Sequence, residues 1–368
     1  MILRLKEYTG PFRIVSLALD EISKKSLYEA NVPFIYTLDD AIILWPKNEV
    51  LCRDIKLVEI LNQMNNFDVF EIWENGIMHQ KYSDSSDDNY FFVTGMCNSN
   101  CIMCPSPAHS RMNQPEANIG ELIELASHIP SDTPHLTITG GEPFMVGEKL
   151  FPFLSYLKQK FCQTEFLLLT NGRIFSIEKY WRRFLIDAPS NILVGIPLHG
   201  SNARIHDAIT RASGSFDQTV KGIRTLLKHG VHIELRLVVN RLNMDDFSEI
   251  ADFILRHLKG IEYVSIIAME MTGNARIHSE QVWIPYRKAF NSVKEAINIL
   301  LKSGIDVKLY NFPLCTVDKQ FWPMCSRSIS SYKVRFEEEC ASCKYKNDCG
   351  GVFAGTIDME RGELKAIL

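Results

Sequence analysis

The sequence has no long apolar run and no long run of charges of one sign. No stretch approaches the roughly 18 apolar residues that would cross a bilayer, and the opening MILRLKEYTG lacks the apolar core of a signal peptide. The longest one-sign run is EEE at 337–339, within a net charge of -4. These absences predict a cytoplasmic protein without a membrane partner, and they give no support to nucleic-acid binding.

Internal repeats and low-complexity tracts are also missing from the sequence. The chain has 368 residues, of which 46% are hydrophobic, and this content is ample for a large core. Such a length is typical of two domains, or of one large α/β domain with additions.

Between about residues 90 and 270, short β-rich runs alternate with amphipathic helical stretches. Apolar residues recur with helical spacing at 119–126 and again at 247–258. This alternation predicts βα units around a parallel sheet, arranged as a partial (βα)6 TIM-like barrel or as an open doubly wound sheet. The six predicted strands are YFFVTG (90–95), HLTITG (135–140), EFLLLTN (165–171), NILVGIPL (191–198), HIELRLVVN (232–240) and YVSIIAM (263–269).

The regions on either side of this core have a different pattern. Residues 1–88 mix strand-like pieces with one helical stretch and end in the polar YSDSSDDN, which is typical of a linker. We therefore predict an N-terminal α+β domain over 1–88, a candidate for substrate recognition, followed by a core over 89–304. Residues 305–368 form a cysteine-rich extension.

Cysteine is not scarce, because ten occur in the chain. In a reducing compartment so many thiols indicate metal ligands or catalytic groups more than disulfides. The isolated Cys52 and Cys162 are interpreted as small apolar side chains. The other eight fall into two groups, which are Cys97, Cys101 and Cys104 in the first, and Cys315, Cys325, Cys340, Cys343 and Cys349 in the second.

The first group has the spacing C-x3-C-x2-C and follows the first predicted strand. A structural zinc site needs a fourth ligand, which His109 could supply. A 4Fe-4S cluster can instead use three thiolates and leave its fourth iron open for another ligand. The spacing favours the iron-sulfur interpretation and leaves zinc as the alternative.

The turn GGEP at 140–143 follows the second predicted strand. Paired glycines at that place are typical of a tight βα turn. Because carboxyl ends of parallel strands share one edge of a sheet, this turn should lie beside the thiols. We therefore expect backbone groups exposed by Gly140 and Gly141, with Glu142 behind them, to form a polar pocket edge that faces an ammonium group.

The thiol loop after strand one and GGEP after strand two together resemble the radical S-adenosylmethionine (SAM) enzymes. The resemblance implies that Cys97, Cys101 and Cys104 bind a catalytic 4Fe-4S cluster and that the methionine part of SAM chelates its open iron. It also implies reductive cleavage of SAM to a 5′-deoxyadenosyl radical that abstracts a hydrogen atom from the substrate. Met103 would then pack near the adenine, and the amino group would be held by Gly140, Gly141, Glu142 and Pro143.

Four further residues in the same core are candidate cofactor contacts. Asn171 in TNG would flank the cofactor, and Arg236 is a candidate partner for its carboxylate because a guanidinium matches the two carboxylate oxygens. A surface ion pair is the alternative for Arg236. His199 and Ser201 follow the fourth strand, where they would contact the ribose or act as ordinary polar loop residues.

The second cysteine group contains C-x2-C-x5-C through Cys340, Cys343 and Cys349, for which a zinc ribbon is the simple alternative. Next to a radical SAM core, the spacing resembles the auxiliary-cluster extensions called SPASM and twitch. The full SPASM pattern has seven cysteines, whereas this group has five. The resemblance therefore implies one auxiliary 4Fe-4S cluster, as in the shorter twitch form.

YNFPLC, SISSYK and CGGVF, together with GIPLHG and ELRLVV, resemble the C-type radical maturase of the His-Xaa-Ser peptide system. On that resemblance Cys315 is favoured over Cys325 as the fourth auxiliary ligand. It implies modification of a ribosomally made peptide or small protein, with a flavodoxin or ferredoxin as electron donor. The open alternatives are a radical enzyme that acts on a small molecule or tRNA, and a non-catalytic iron-sulfur partner of a second radical SAM maturase.

Overall fold

The computed structural model describes residues 1–6, 8–106 and 118–368. Its strands are β1 (Ile2–Arg4), β2 (Arg13–Leu17), β3 (Phe34–Leu38), β4 (Ala41–Trp45), β5 (Glu49–Arg53), β6 (Val69–Ile72), β7 (Ile77–Tyr82), β8 (Tyr90–Phe92), β9 (His135–Thr139), β10 (Glu165–Leu169), β11 (Ile192–Pro197), β12 (His232–Val238), β13 (Tyr263–Ile267), β14 (Asp306–Tyr310), β15 (Cys325–Ser326), β16 (Val334–Arg335) and β17 (Val352–Phe353). Its α-helices are α1 (Glu21–Glu29), α2 (Ile55–Leu61), α3 (Ile119–His128), α4 (Leu150–Lys160), α5 (Glu178–Asp187), α6 (Ala203–Thr210), α7 (Ser215–Lys228), α8 (Phe247–His257), α9 (Gly273–Ile277), α10 (Ser279–Val282) and α11 (Tyr286–Lys302).

The N-terminal region is an α+β unit, as the sequence indicates. Its sheet has the order β1-β7-β6-β2-β3-β4-β5, in which β2 and β3 are parallel and all other neighbours are antiparallel. Helices α1 and α2 begin after Asp20 and Asp54, whose carboxylates accept hydrogen bonds from N–H groups of the first turn. These caps satisfy backbone donors that have no partner inside the helix.

The polar stretch that the sequence marks as a linker is an ordered turn. The Asn89 side chain accepts a hydrogen bond from the N–H of Ser83 and donates to the carbonyls of Ser83 and Ser86. Across this junction, buried Ser16 on β2 shares a 2.9 Å hydrogen bond with His128 on α3. The N-terminal unit therefore packs directly against the core.

The core is an eight-stranded sheet with the order β15-β14-β13-β12-β11-β10-β9-β8, in which every pair is parallel. All six strands predicted from the sequence are present, and the sheet with its helices has the partial-barrel architecture expected. β14 and β15 were not predicted. They extend the sheet past residue 304, where the sequence placed the end of the core.

One face of this sheet is covered by helices, and the other lines the interior. On β12, Ile233, Leu235 and Leu237 are at most 1% exposed and belong to the main hydrophobic core, whereas Glu234 and Arg236 point to the opposite face. This alternation follows from the two-residue period of a strand. The apolar stripes predicted at 119–126 and 247–258 form α3 and α8, which pack against the covered face.

The C-terminal extension is attached to the core through Glu360. This residue is fully buried, and its Oε1 accepts a 2.7 Å hydrogen bond from the N–H of Tyr286, the first residue of α11. Its Oε2 has no partner among the described residues. Burial raises the pKa of Glu360 to about 7, and the carboxylates of Glu363 and Glu337 contribute to the increase.

This raised pKa predicts that stability falls as the pH increases. The native state binds the proton of Glu360 more tightly than the unfolded chain does, because the ordinary pKa of this carboxyl is 4.5. The stabilisation from the protonated side chain is therefore fully present below about pH 4.5 and is lost as the pH rises through about 7. Between about pH 5 and pH 8, the wild-type free energy of unfolding should fall by up to about 3 kcal/mol relative to Glu360→Gln. Denaturant unfolding of both proteins across this range measures the difference.

Glu295→Gln is the matched control, because this exposed carboxylate lies on α11, the helix that Glu360 contacts, and does not contribute to the raised pKa of Glu360, so it should leave the wild-type pH profile in place. Parallel profiles for wild type and Glu360→Gln would contradict the assignment to Glu360.

Candidate functional site

The thiol loop, defined as residues 93–106, leaves the C-terminal end of β8 and rests on the end of α6. The N–H groups of Asn100 and Ile102 donate to the carbonyls of Thr210 and Ile209 at 3.0 and 2.9 Å. The N–H of Cys104 donates to the carbonyl of Cys101 at 3.1 Å, which forms a tight turn between two of the three thiols. The loop backbone is therefore held by hydrogen bonds along most of its length. His109, the zinc alternative, lies outside the described residues.

The glycine pair of GGEP is required by close backbone contact with the thiol loop. A Cβ on Gly140 would lie 2.5 Å from the carbonyl oxygen of Thr94, and one on Gly141 would lie 2.5 Å from that of Gly95. The N–H of Gly141 donates to Thr94, and the next N–H along the chain donates to Met96, both at 2.8 Å. The sequence predicts that backbone groups of this turn are exposed at a pocket edge. The N–H groups of Gly141 and Glu142 are an exception, because they donate hydrogen bonds to the thiol loop.

Glu142 joins the GGEP turn to the loop after β10. Its carboxylate is 2% exposed and accepts hydrogen bonds from the N–H of Phe144, the N–H of Asn171 and the hydroxyl of Thr170. Burial raises the pKa of Glu142, and these hydrogen bonds oppose the increase. Pro143, also buried, starts the short 3-10 helix that follows. The carboxylate thus positions two strand-end loops relative to each other.

Asn171 contacts the thiol loop directly. Its Nδ2 donates to the side-chain oxygen of Asn98 at 2.6 Å, and Arg173 donates to the Asn98 carbonyl at 2.7 Å and to the Ser99 hydroxyl. The structure therefore brings TNG, GGEP and the thiol loop together at one edge of the sheet. That Asn171 flanks a cofactor remains a prediction.

Met103 is 7% exposed and lies in an apolar cluster under the thiol loop. Its sulfur accepts a 3.6 Å hydrogen bond from Nδ2 of buried Asn240. Met269 and Met271, from the segment after β13, belong to the same cluster. A place beside an adenine ring remains a prediction for Met103.

The two candidates after β11 differ in their surroundings. His199 is 2% exposed, and its Nδ1 has no hydrogen-bond partner among the described residues. Burial, with the neighbouring imidazole of His206, lowers the pKa of His199 well below its usual value, so the ring is neutral at pH 7. Ser201 donates both its N–H and its hydroxyl to the carboxylate of Asp246 at 2.7 Å. Ser201 therefore holds the loop against the start of α8, and ribose contact by either residue remains a prediction.

Arg236 lies on the interior face of the sheet. It forms an ion pair there with the buried Glu234, and not at the protein surface. Its Nη1 donates to Oε1 of Glu234 at 2.6 Å, and the Ser265 hydroxyl donates to the same oxygen at 2.5 Å. The Arg236 side chain is 26% exposed, whereas Glu234 is 1% exposed. A Cβ on Gly195 would lie 3.2 Å from both Glu234 and Arg236, so this glycine leaves space for the pair. The guanidinium is therefore oriented by a buried acceptor.

Asn274 is a residue of this site that the sequence analysis missed. Its side chain and N–H contact the carbonyls of Cys101 and Cys104. The available signal was its position in TGNA, two residues after the sixth predicted strand, because loops at the carboxyl ends of parallel strands are expected to carry functional residues. The acceptors Glu234 and Asp246 were missed because single carboxylates in a strand and at a helix start have no distinctive pattern.

Four cysteines of the second group line one cavity in the extension, namely Cys315, Cys340, Cys343 and Cys349. The sulfur of Cys349 accepts hydrogen bonds from the N–H groups of Leu314 and Gly351, each at 3.4 Å. Within the described part of the chain, no group of three or more His, Cys, Asp or Glu side chains has the arrangement of a metal-ion site. Four thiols around an enclosed space, with N–H donors at a sulfur, match the donor set of an iron-sulfur cluster.

Cys325 does not line this cavity. Its thiol is a weak donor to the carbonyl of Phe321 at 3.8 Å, and burial raises the pKa of Cys325 to about 12. The structure therefore brings Cys315 together with all three C-x2-C-x5-C cysteines, whereas among these three the thiol of Cys325 is influenced only by Cys349.

Residues 91–254 match the model of the Radical SAM superfamily. This part of the chain is a radical SAM domain, which confirms the resemblance to radical SAM enzymes inferred from the sequence. The superfamily implies SAM and a 4Fe-4S cluster as cofactors, and the three thiols of the loop have the required donor chemistry. Among helices of the described residues, none combines the length and apolar character needed to span a bilayer.

Two named relatives are similar to about half of this chain. An AdoMet-dependent heme synthase of Nitratidesulfovibrio vulgaris is 28% identical over 191 residues, which cover 52% of this chain and 50% of that protein. The antilisterial bacteriocin subtilosin biosynthesis protein AlbA of Bacillus subtilis is 29% identical over 205 residues, which cover 52% of this chain and 43% of that protein. The chain spans about half the length of the curated relatives it matches.

Solved structures are also similar to part of the chain. Streptococcus suis SuiB bound to S-adenosylmethionine is 14% identical, with a TM-score of 0.47, over 68% of this chain and 53% of that chain. The enzyme anSMEcpe with bound AdoMet and the Kp18Cys peptide is 15% identical, with a TM-score of 0.47, over 60% of this chain and 62% of that chain.

Proposed function

We propose that this protein is a cytoplasmic radical SAM enzyme that modifies a ribosomally made peptide or small protein, using one catalytic and one auxiliary 4Fe-4S cluster. The proposal depends chiefly on one observation, the convergence of Cys315, Cys340, Cys343 and Cys349 on a single cavity in a chain that has a radical SAM domain. A second cluster of this kind would give the enzyme a redox centre besides the one that activates SAM.

Cys97, Cys101 and Cys104 hold the catalytic cluster in this proposal. When bound, the cluster and SAM supply one-electron chemistry that yields a 5′-deoxyadenosyl radical, with the electron supplied by a flavodoxin or ferredoxin. The protein holds the thiol loop in one conformation through the backbone bonds from Gly141 and Glu142. Such positioning is the main contribution of a protein whose cofactor carries the reactive chemistry.

The interior residues orient the cofactor and substrate. Arg236 is held by Glu234, whose Oε1 also accepts from the Ser265 hydroxyl, and it presents its remaining N–H groups to a carboxylate, which a guanidinium can bind through two parallel hydrogen bonds. His199 stays neutral and can accept or donate one hydrogen bond at a buried position, in agreement with a ribose hydroxyl as partner. The cofactor's amino group is assigned to the segment Gly140–Pro143.

The auxiliary site is assigned a role in electron transfer. Four cysteines provide one ligand for each iron of a 4Fe-4S cluster, which leaves no iron open for substrate. The cluster would therefore accept an electron from a substrate radical, and the net reaction would be an oxidation such as a crosslink. The alternative of substrate binding at an open iron requires that one of the four thiols is not a ligand.

The assignment to a peptide substrate is supported by the similarity to AlbA, a bacteriocin biosynthesis protein. A small molecule is the second candidate, because AdoMet-dependent heme synthases from two bacterial species and one archaeal species are also similar to part of the chain. A tRNA substrate has no comparable support, since the net charge is -4 and no basic stripe is present.

Co-expression with a short peptide encoded beside the gene tests the function directly. Mass spectrometry of that peptide should show the loss of two hydrogens or a new covalent link only when the active enzyme is present. An unmodified peptide, together with turnover of a porphyrin in vitro, would favour the small-molecule candidate. Absence of 5′-deoxyadenosine under reducing, oxygen-free conditions would favour a non-catalytic partner of a second radical SAM maturase.

A further inference from the structure

The segment Met271–Asn274, MTGN in the sequence, lies between the two cysteine sites. It follows β13, and its last two residues begin α9. One end of the segment contacts the thiol loop, and the other end contacts the C-terminal extension. It therefore connects two regions that lie more than 200 residues apart in the sequence.

On the thiol side, Asn274 binds two of the three catalytic cysteines through their backbone. Its N–H donates to the carbonyl of Cys104 at 2.8 Å, and its Nδ2 donates to the carbonyl of Cys101 at 2.9 Å and to the side chain of Asn100 at 3.1 Å. Asn274 is 4% exposed, so these hydrogen bonds are shielded from water. One residue, through its side chain and its main-chain N–H, thus binds the backbone on both sides of Ile102 and Met103.

Gly273 allows this contact to form. Its φ of +53° lies in the left-handed region, and a Cβ there would be 2.4 Å from the carbonyl oxygen of Pro105. A side chain at this position would therefore push the segment away from the thiol loop. Thr272 adds a hydrogen bond from its hydroxyl to the same carbonyl at 3.3 Å.

On the side of the extension, Met271 is held by Thr356. The N–H of Met271 donates to the Thr356 hydroxyl at 3.0 Å, and Thr356 is fully buried. The preceding Gly355 packs so closely that a Cβ would lie 2.7 Å from Cγ2 of Thr272. Thr356 follows the auxiliary thiol Cys349 by seven residues in the sequence.

We propose that Met271–Asn274 is a positioning segment that couples the fold of the C-terminal extension to the conformation of the catalytic thiol loop. Asn274 and Thr356 are its two positioning residues, one at each end. Packed hydrogen-bonded chains of this kind can carry coupling between sites. The importance of the coupling for catalysis rests on the proposed function, whereas the physical coupling does not.

Hydrogen-deuterium exchange of the full-length protein without clusters tests the coupling in Thr356→Val. This change keeps the side-chain shape but leaves the buried N–H of Met271 without its acceptor. We expect exchange in peptides covering residues 97–104 to become about tenfold faster, the typical effect of one lost buried hydrogen bond. Thr356→Ser keeps the hydroxyl and should stay within about twofold of wild type.

Thr133→Val is the matched control. Thr133 is also buried, and its hydroxyl bonds to the carbonyl of Pro130 and to Tyr82, at the junction with the N-terminal unit. Its loss should leave exchange in 97–104 unchanged. Faster exchange confined to 350–357 in Thr356→Val, or equal acceleration of 97–104 in Thr133→Val, would overturn the proposal.

Asn274→Asp provides a second test from the other end, because it removes the two side-chain donors without changing the side-chain volume. Exchange in 97–104 should again accelerate about tenfold or more, and the reconstituted cluster should show an altered electron paramagnetic resonance spectrum in the part that responds to SAM. An unchanged spectrum and unchanged exchange would overturn the role of Asn274. Neither readout depends on turnover, so failure of the proposed function would be recognised separately.

Discussion

Cys101→Ala should abolish the cleavage of SAM to 5′-deoxyadenosine. Three thiolates are the minimum for a cluster with one open iron, and loss of one removes the centre that delivers the electron. We expect the rate to fall by at least about three orders of magnitude, because the cofactor supplies the reactive chemistry. The rate is measured by chromatography under reducing, oxygen-free conditions.

The same protein should lose one cluster, from about eight to about four iron atoms per chain. Cys162→Ala is the control, since this exposed thiol only donates weakly to the carbonyl of Gln159. It should retain full iron content and full rate. Full turnover in Cys101→Ala would show that the assignment of the thiol loop is wrong.

Cys315→Ala should remove the auxiliary cluster and leave SAM cleavage largely intact. Cys315 lines the cavity together with the three thiols of C-x2-C-x5-C. Its loss would leave one iron without a ligand, because no SAM is available here to fill the open position as it would at the catalytic cluster. We expect iron to fall to about four atoms per chain, while the rate of 5′-deoxyadenosine formation stays within about threefold of wild type. Product formation on the peptide should be lost, because the electron acceptor is missing.

Cys325→Ala is the matched control for this second experiment. Its thiol contacts the carbonyl of Phe321 and does not line the cavity, so iron content and product formation should persist. If Cys325→Ala lost iron and Cys315→Ala did not, Cys325 would be the ligand. Stoichiometric zinc at the extension would contradict the auxiliary cluster altogether.

The fold of the core could largely be predicted from the sequence, because buried parallel strands are short, apolar and regularly separated by amphipathic helices. β14 and β15 could not. The segment DVKLY of β14 has only three apolar residues, and β15 has two residues, so neither has a pattern of its own. Their place in the sheet depends on pairing with β13 and with each other, which is a property of the folded chain.

The candidate site, like the fold, could be predicted from the sequence only in part. The spacing of Cys97, Cys101 and Cys104 identified the thiol loop, since the three ligands are local in sequence. The glycines of GGEP were found, but the close approach of Thr94 and Gly95 that requires them was not visible. The exact partners of a turn depend on the neighbouring loop, which lies more than 40 residues earlier.

By itself, the sequence determined the class of domain, the order of its main strands and the three cysteines of the thiol loop, because each of these depends on residues that are close along the chain. Only the tertiary structure showed that Cys315 lines one cavity with Cys340, Cys343 and Cys349, and that Asn274 binds the thiol loop. Both contacts join residues that are distant in sequence. No local spacing or periodicity encodes such contacts, which form only when the sheet brings its loops to one edge and the extension packs against them.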